Sequence, residues 1–264
     1  MTLTSPLPPA AGLMRVALWQ GHSPAGDFGR ALDEAVRALR AAQAMGASVL
    51  VLPEVWLPGY NQPDIPTRAL AADDAALHRL STAARETGCA LVLGHAEREG
   101  DVVYNTATCL GPDGALLARY RKLQLYGARE KGLYRPGEGY VTFDLAGRKV
   151  ALLICYDIEF APHVARLAAL GVDVILVPTA NMQPFAHVVR HTVPAMAANH
   201  GLSIVYANYC GAEGDLTYVG GSLIAGPHGE VLAQAGEMPA LLVADLPAPD
   251  PTRLSTQALD LRTV

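Results

Sequence analysis

A thiol at the end of an apolar run is the first residue of this chain able to do chemistry. Cys155 closes the stretch Lys149-Val-Ala-Leu-Leu-Ile154 and is followed at once by Tyr156, Asp157 and a helix-like segment. A strand that delivers a sulfur onto a sharp turn exposes it at the sheet edge, where the backbone N–H groups opening the next helix can hold negative charge. Two other residues sit in the same way, at or just past the end of a β-like run. They are Glu54 in Leu52-Pro-Glu-Val-Trp-Leu-Pro-Gly-Tyr60 and Lys122 in Tyr120-Arg-Lys-Leu-Gln-Leu-Tyr-Gly127. A thiol with a pKa of about 8.5 is mostly protonated at neutral pH, so a base and a cation nearby would be useful to it. A thiol, a carboxylate and an ammonium placed alike point to acyl transfer through a thioester.

The elements that must carry these groups alternate along the chain. Residues 14–20 read as a buried strand and 27–46 as an amphipathic helix with alanine and leucine at helical spacing. A strand over 48–53 ends at Glu54, and Pro58-Gly59 opens a loop through Pro63 and Pro66. A second helix is expected over 69–88 and a short strand over 90–94. Segments 102–110 and 115–121, joined by Gly111-Pro-Asp-Gly114, form a hairpin. Segments 141–145 and 149–154 form another around Ala146-Gly147. The second half repeats the scheme, with helix 162–170, strand 173–178, helix 184–199 and strand 202–208. It closes with a hairpin over 221–225 and 230–234 around Gly226-Pro-His-Gly229, then a last strand near 240–245. One x-G-P-x-G-x hairpin per half hints at internal pseudo-symmetry. Such a series requires two sheets with helices on their outer faces.

Bulk properties narrow the class. A chain of 264 residues can bury one sizeable core, and no linker divides it, so a single domain over 14–264 is expected. Residues 1–13, rich in proline and alanine, read as a flexible tail, without the basic and apolar regions of a signal peptide. A net charge of −5 offers no basic field for nucleic acid. No apolar stretch approaches the roughly 20 residues that span a bilayer, and no helix has a basic amphipathic face for a membrane surface. The four cysteines lack paired spacing, and reduced thiols in the cytoplasm are expected.

Leu52-Pro-Glu54, Tyr120-Arg-Lys122, and Ile154-Cys-Tyr-Asp157 with Val177-Pro-Thr-Ala-Asn181 resemble, in order, the motifs of the carbon–nitrogen hydrolases of the nitrilase superfamily. The likeness spans roughly residues 14–246. Within that family the chain is most similar to bacterial aliphatic amidases of the 5-aminopentanamidase and stereoselective types. The resemblance implies a four-layer αββα sandwich, α/β in class, that pairs into a homodimer or higher homo-oligomer, and a cofactor-free enzyme acting on a small-molecule amide. It assigns Cys155 as nucleophile, Glu54 as general base, and Lys122 with the backbone N–H of Tyr156 as oxyanion pocket. Glu130, eight residues after Lys122, is a supporting carboxylate that orients the lysine. Tyr60, Tyr126, Tyr156 and Asn181 lie beside the motifs and are expected to line the substrate pocket.

Other readings attach to the same residues. N-carbamoyl amines or nitriles could be cleaved by the same groups, or the chain could be an idle binding scaffold. Asp157 reads as a structural carboxylate accepting turn N–H groups. His187 and His191 stand at i, i+4, yet the Glu of H-E-x-x-H is missing and no third ligand stands out, so no metal is expected. A Cys–His protease would need a histidine oriented beside the sulfur, and none is marked locally.

Overall fold

The apolar runs form two six-stranded sheets, seen in a computed structural model that describes residues 13–262. The expected tail lies, apart from residue 13, outside the described residues. The first half runs β1 (Met14–Gln20), α1 (Phe28–Ala44), β2 (Val49–Val51), α2 (Ile65–Arg68), α3 (Ala75–Thr87), β3 (Ala90–Glu99), β4 (Val102–Leu110) and β5 (Leu116–Arg121). After α4 (Gly127–Leu133) come β6 (Thr142–Leu145), β7 (Arg148–Leu152), a 3₁₀ turn over Cys155–Glu159, α5 (Ala161–Ala169) and β8 (Val174–Pro178). A π turn (Val188–Thr192) leads into α6 (Val193–His200), then β9 (Ser203–Ala207), the hairpin β10 (Cys210–Glu213) and β11 (Leu216–Val219), and β12 (Leu223–Ala225). β13 (Val231–Gln234), β14 (Ala240–Leu246) and a short α7 (Gln257–Asp260) end the described chain.

The strand orders are β14-β1-β2-β3-β4-β5 and β13-β12-β9-β8-β7-β6. In each sheet three parallel strands, β1-β2-β3 or β7-β8-β9, continue into two antiparallel ones. The two halves therefore repeat one another, and the turn Gly111–Gly114 between β4 and β5 corresponds to Gly226–Gly229 between β12 and β13. Strand alternation divides the core. Val16, Leu18, Val49, Val51 and Val92 share one cluster with Leu152, Leu176 and Val205 of the second sheet. Ala17, Leu50, Leu91 and Leu93 share the other with α1 and α3. Helix α1 buries Ala31, Ala35, Ala38, Leu39 and Ala42, the spacing of a single helical face, and its N-cap Asp27 accepts from Arg30 N. With α5 and α6 on the second sheet, the four layers are helix, sheet, sheet, helix.

Several boundaries differ from those expected. Helix α3 starts at Ala75, because the Asp74 side chain caps Ala76 N and Leu70 bridges to Glu97 instead. Strand β3 runs five residues past Gly94, carried by its antiparallel pairing with β4. The helix expected over 184–199 begins as the π turn at Val188. Two elements have no local signal. Helix α4 holds two glycines in seven residues, and Cys210-Gly-Ala-Glu213 is poor strand sequence.

Candidate active site

Glu54, Lys122 and Cys155 each follow the last residue of a strand by one to three positions, after β2, β5 and β7. Two of these strands are parallel, and the carboxyl ends of parallel strands leave a crevice that side chains can share.

The turn carrying Glu54 is tightly held. Its N–H donates to Thr179 O (3.2 Å), and Tyr209 OH donates to its carbonyl (2.9 Å). Val55 takes φ +46°, a region that β-branched residues rarely enter. Gly94 of β3 passes directly beneath, where an added Cβ would stand 2.5 Å from Pro53 O and 2.6 Å from Val55 N. Only glycine lets β3 approach this turn so closely. Cys155 also has φ +46°, so the nucleophile candidate sits in a strained conformation at the sheet edge.

One ammonium joins two carboxylates. Lys122 Nζ donates to Glu54 Oε1 at 2.6 Å and to Glu130 Oε1 at 2.8 Å, and all three side chains are at most 1% exposed. Glu130 also accepts from Tyr60 OH (2.7 Å) and, through Oε2, from Tyr126 N (2.8 Å). Asn105 Nδ2 of β4 donates to Glu54 Oε1 (2.7 Å), which leaves Glu54 Oε2 without a partner among the described residues.

The electrostatics follow from burial. Burial pushes the Glu54 carboxyl up to about 7; Lys122 pulls against this and Glu130 adds to it. Burial would lower the Lys122 ammonium, but Glu130 and Glu54 outweigh it and hold the group well above the usual lysine range. Burial and the Glu54 carboxylate hold the Cys155 thiol well above its usual value, against the pull of Lys122. The Thr179 hydroxyl lies against both this sulfur and the Tyr206 hydroxyl without closing a well-formed hydrogen bond to either.

Cys155 opens onto a cavity of about 220 Å³. Tyr60, Tyr126, Tyr156 and Asn181, all singled out from sequence, line it. The rings meet edge to face, Tyr126 on Tyr156 at 5.4 Å and on Phe185 at 5.9 Å. Asn181 Nδ2 is engaged with Phe185 O (3.1 Å). Asp157 is fully buried and is not among the cavity walls. Its carboxylate accepts from Tyr120 OH, Ile154 N and Gln124 N at 2.7–3.0 Å, tying the strand end before Lys122 to the turn of Cys155. Both histidines are exposed; His187 lines the cavity and His191 does not. No group of three or more His, Cys, Asp or Glu among the described residues is placed to hold a metal ion.

Sequence reading missed Asn105, Glu159, Met182 and Phe185. Asn105 had one usable signal, a poor strand former inside a run of otherwise good ones such as valine, tyrosine and threonine. The other three are brought to the cavity by the 3₁₀ turn and the segment after β8, and nothing local marks them.

Comparison with known proteins agrees with this fold. The family model for carbon–nitrogen hydrolases matches residues 15–253, and the chain belongs to that family. It is therefore an enzyme that hydrolyses carbon–nitrogen bonds other than peptide bonds. The chain is 39% identical to the "Hydrolase in pqqF 5'region" of Pseudomonas protegens, covering 88% of this chain and 82% of the relative. It is 35% identical to an (R)-stereoselective amidase of a Pseudomonas species, covering 84% and 81%. An amidase from Nesterenkonia sp. AN1, solved as a double mutant in complex with acrylamide, superposes with a TM-score of 0.88 at 37% identity, covering 97% of both chains. A single mutant of the same enzyme has also been solved with the acetamide moiety of fluoroacetamide covalently added at its active-site cysteine.

Proposed function

We propose that this enzyme is an amidase that hydrolyses a small linear amide to a carboxylate and ammonia through a thioester on Cys155. One observation carries the reading: a buried Glu54 carboxylate has one oxygen held by Lys122 and Asn105 and the other unpaired, in the electrostatic neighbourhood of a cysteine that opens onto a cavity. The Nesterenkonia amidase, with its reactive cysteine and its acrylamide complex, supports the same chemistry.

In this mechanism Cys155 Sγ attacks the amide carbon while Glu54 Oε2 takes the thiol proton. A thiol held protonated beside a base near 7 transfers its proton during the attack, so no free thiolate accumulates. The developing oxyanion is held by Lys122 Nζ and the backbone N–H of Tyr156. Glu54 returns the proton to the nitrogen, the C–N bond breaks and ammonia leaves. A water deprotonated by Glu54 then attacks the thioester and releases the carboxylate and the restored thiol. Glu130 orients Lys122 and, with it, Tyr60.

The cavity is smaller than the roughly 300–1,000 Å³ of drug-sized sites, which favours a short acyl chain. Glu159, half-buried in its wall, makes no ion pair or hydrogen bond among the described residues. Burial raises the Glu159 carboxyl while His187 and Lys122 pull the other way, and a substrate ending in a carboxylate would meet a like group there, so a neutral or cationic tail suits the pocket better. We place the enzyme in the cytoplasm as a homo-oligomer. Its four unpaired cysteines support a reducing compartment, and no helix of the described residues is long and apolar enough to cross a membrane.

Intact-mass measurement after rapid mixing with butyramide tests the reading. A transient mass increase equal to the acyl group, mapped to Cys155, is expected; labelling elsewhere, or none while ammonia is released, would rule it out. The pH profile gives a second check. A base must be unprotonated to accept a proton, so kcat/KM is expected to rise about tenfold per unit up to a Glu54 value near 7 and then level. Glu54→Gln should remove that acid limb along with most of the activity.

A further inference from the structure

Strand β4 contributes one residue whose side chain and backbone serve different members of the cluster. Asn105 is 1% exposed. Its Nδ2 donates to Glu54 Oε1 at 2.7 Å, and its carbonyl accepts from Lys122 N at 2.9 Å. Its own Oδ1 is buried without a partner. Turning the amide over would press that oxygen against a carboxylate, acceptor on acceptor, so the orientation with nitrogen toward Glu54 is the one the cluster permits. An asparagine present only to fill β4 would be expected to satisfy both ends of its amide. This one spends its donor on Glu54 and leaves its acceptor unmade.

The consequence falls on the two oxygens of Glu54. Oε1 receives both Lys122 Nζ and Asn105 Nδ2, while Oε2 receives nothing. With Lys122 as the sole donor, the carboxylate could pivot and present either oxygen to the ammonium. Two donors, one within β4 and one just past the end of β5, hold it against that rotation. Building on the amidase reading, we propose that Asn105 is a positioning residue. By binding Glu54 Oε1 together with Lys122, it reserves Oε2 as the oxygen that exchanges protons with Cys155 and the substrate. Its backbone bond to Lys122 sets the ammonium in the same register. A neutral donor also favours the ionised form of Glu54 without adding a second cation that would trap it. The titratable groups facing Glu54 are Lys122 beyond β5, Glu130 on α4, Cys155 beyond β7, and the phenols of Tyr60, Tyr134, Tyr206 and Tyr209.

The test is the pH profile of butyramide hydrolysis in Asn105→Ala and in Asn105→Leu, the latter close to asparagine in size and uncharged, and so the safer variant to fold. Loss of a hydrogen bond to a charged group predicts that the acid limb of kcat/KM moves up by about one pH unit or more in both variants. The pH-independent kcat should fall by roughly tenfold or more with KM little changed, as loss of orientation predicts. Where turnover is too slow to follow, the pH dependence of Cys155 alkylation by iodoacetamide should move in the same direction. An acid limb unchanged in both variants, with or without lost activity, would overturn the proposal and leave Asn105 a packing residue. Failure of the amidase reading itself would look different, since the wild-type enzyme would then release no ammonia from butyramide.

Discussion

Cys155→Ala is expected to lose amide hydrolysis by on the order of 10⁶-fold, the scale on which an acyl-transfer enzyme suffers when its nucleophile is removed. No other thiol can take its place. Cys89, Cys109 and Cys210 are buried, and burial pushes their thiols up to about 12, 12 and 11. What survives would be slow attack of water on an amide still polarised by Lys122. The change should leave folding nearly untouched, because it removes one sulfur at the cavity wall and disturbs neither carboxylate nor the ammonium between them. Cys155→Ser should fall between the two enzymes, since an alcohol gives up its proton less readily to Glu54. Ammonia release measured alongside a thermal melt decides the matter. A folded Cys155→Ala enzyme working near the wild-type rate would end the thioester mechanism.

Lys122→Met is expected to damage both rate and stability. Removing one oxyanion donor costs on the order of 10²–10³-fold in rate. Methionine matches the stem of lysine in length and flexibility, so the packing should survive. The charge balance would not: Glu54 and Glu130 would share a dry site without the cation whose Nζ now holds both Oε1 atoms. Removing one partner of a buried ion pair costs about 3–5 kcal/mol, equivalent to a fall in Tm of about 10 °C for a chain of this size. With the ammonium gone, Glu54 should also titrate higher than about 7, moving the acid limb further up. Lys122→Met combined with Glu130→Gln separates the two effects. Removing the second carboxylate should restore part of the lost stability and none of the lost rate. A Lys122→Met protein that melts like the wild type would show that the ion cluster contributes little to the fold.

Much of this site was legible before any coordinates. Glu54, Lys122 and Cys155 could be picked out because each follows an apolar run, and a strand long enough to be buried must release the chain at a predictable face. Glu130 came through resemblance alone. Its geometry then rests on α4, a helix with Gly127 and Gly132 that propensity argues against. That helix is anchored by tertiary bonds, with Tyr126 N donating to Glu130 and Arg129 donating to the carbonyls of Tyr60 and Gln62. The hairpin β10–β11 is a similar case: Tyr218 OH donates to Glu213 there, and Tyr209 beside it reaches Glu54 O. Asp157 needed only local reasoning, since a carboxylate opening a turn commonly accepts turn N–H groups. That it also ties in Tyr120 and Gln124 was not visible from the turn.

What the amino-acid order determined by itself was the set of strands in the two large sheets, their alternation into a two-sided core, the repeat of the halves, and the three polar groups at strand ends. These follow from periodicity and turn chemistry, which act over a few residues. Only the tertiary structure decided which oxygen of Glu54 is free, which aromatic rings close the cavity, and that Asn105 and Glu159 join the site. Those facts depend on distances between segments from about 50 to more than 120 residues apart along the chain, where hydrogen-bond geometry and burial are set by the stacking of the two sheets and leave no local mark.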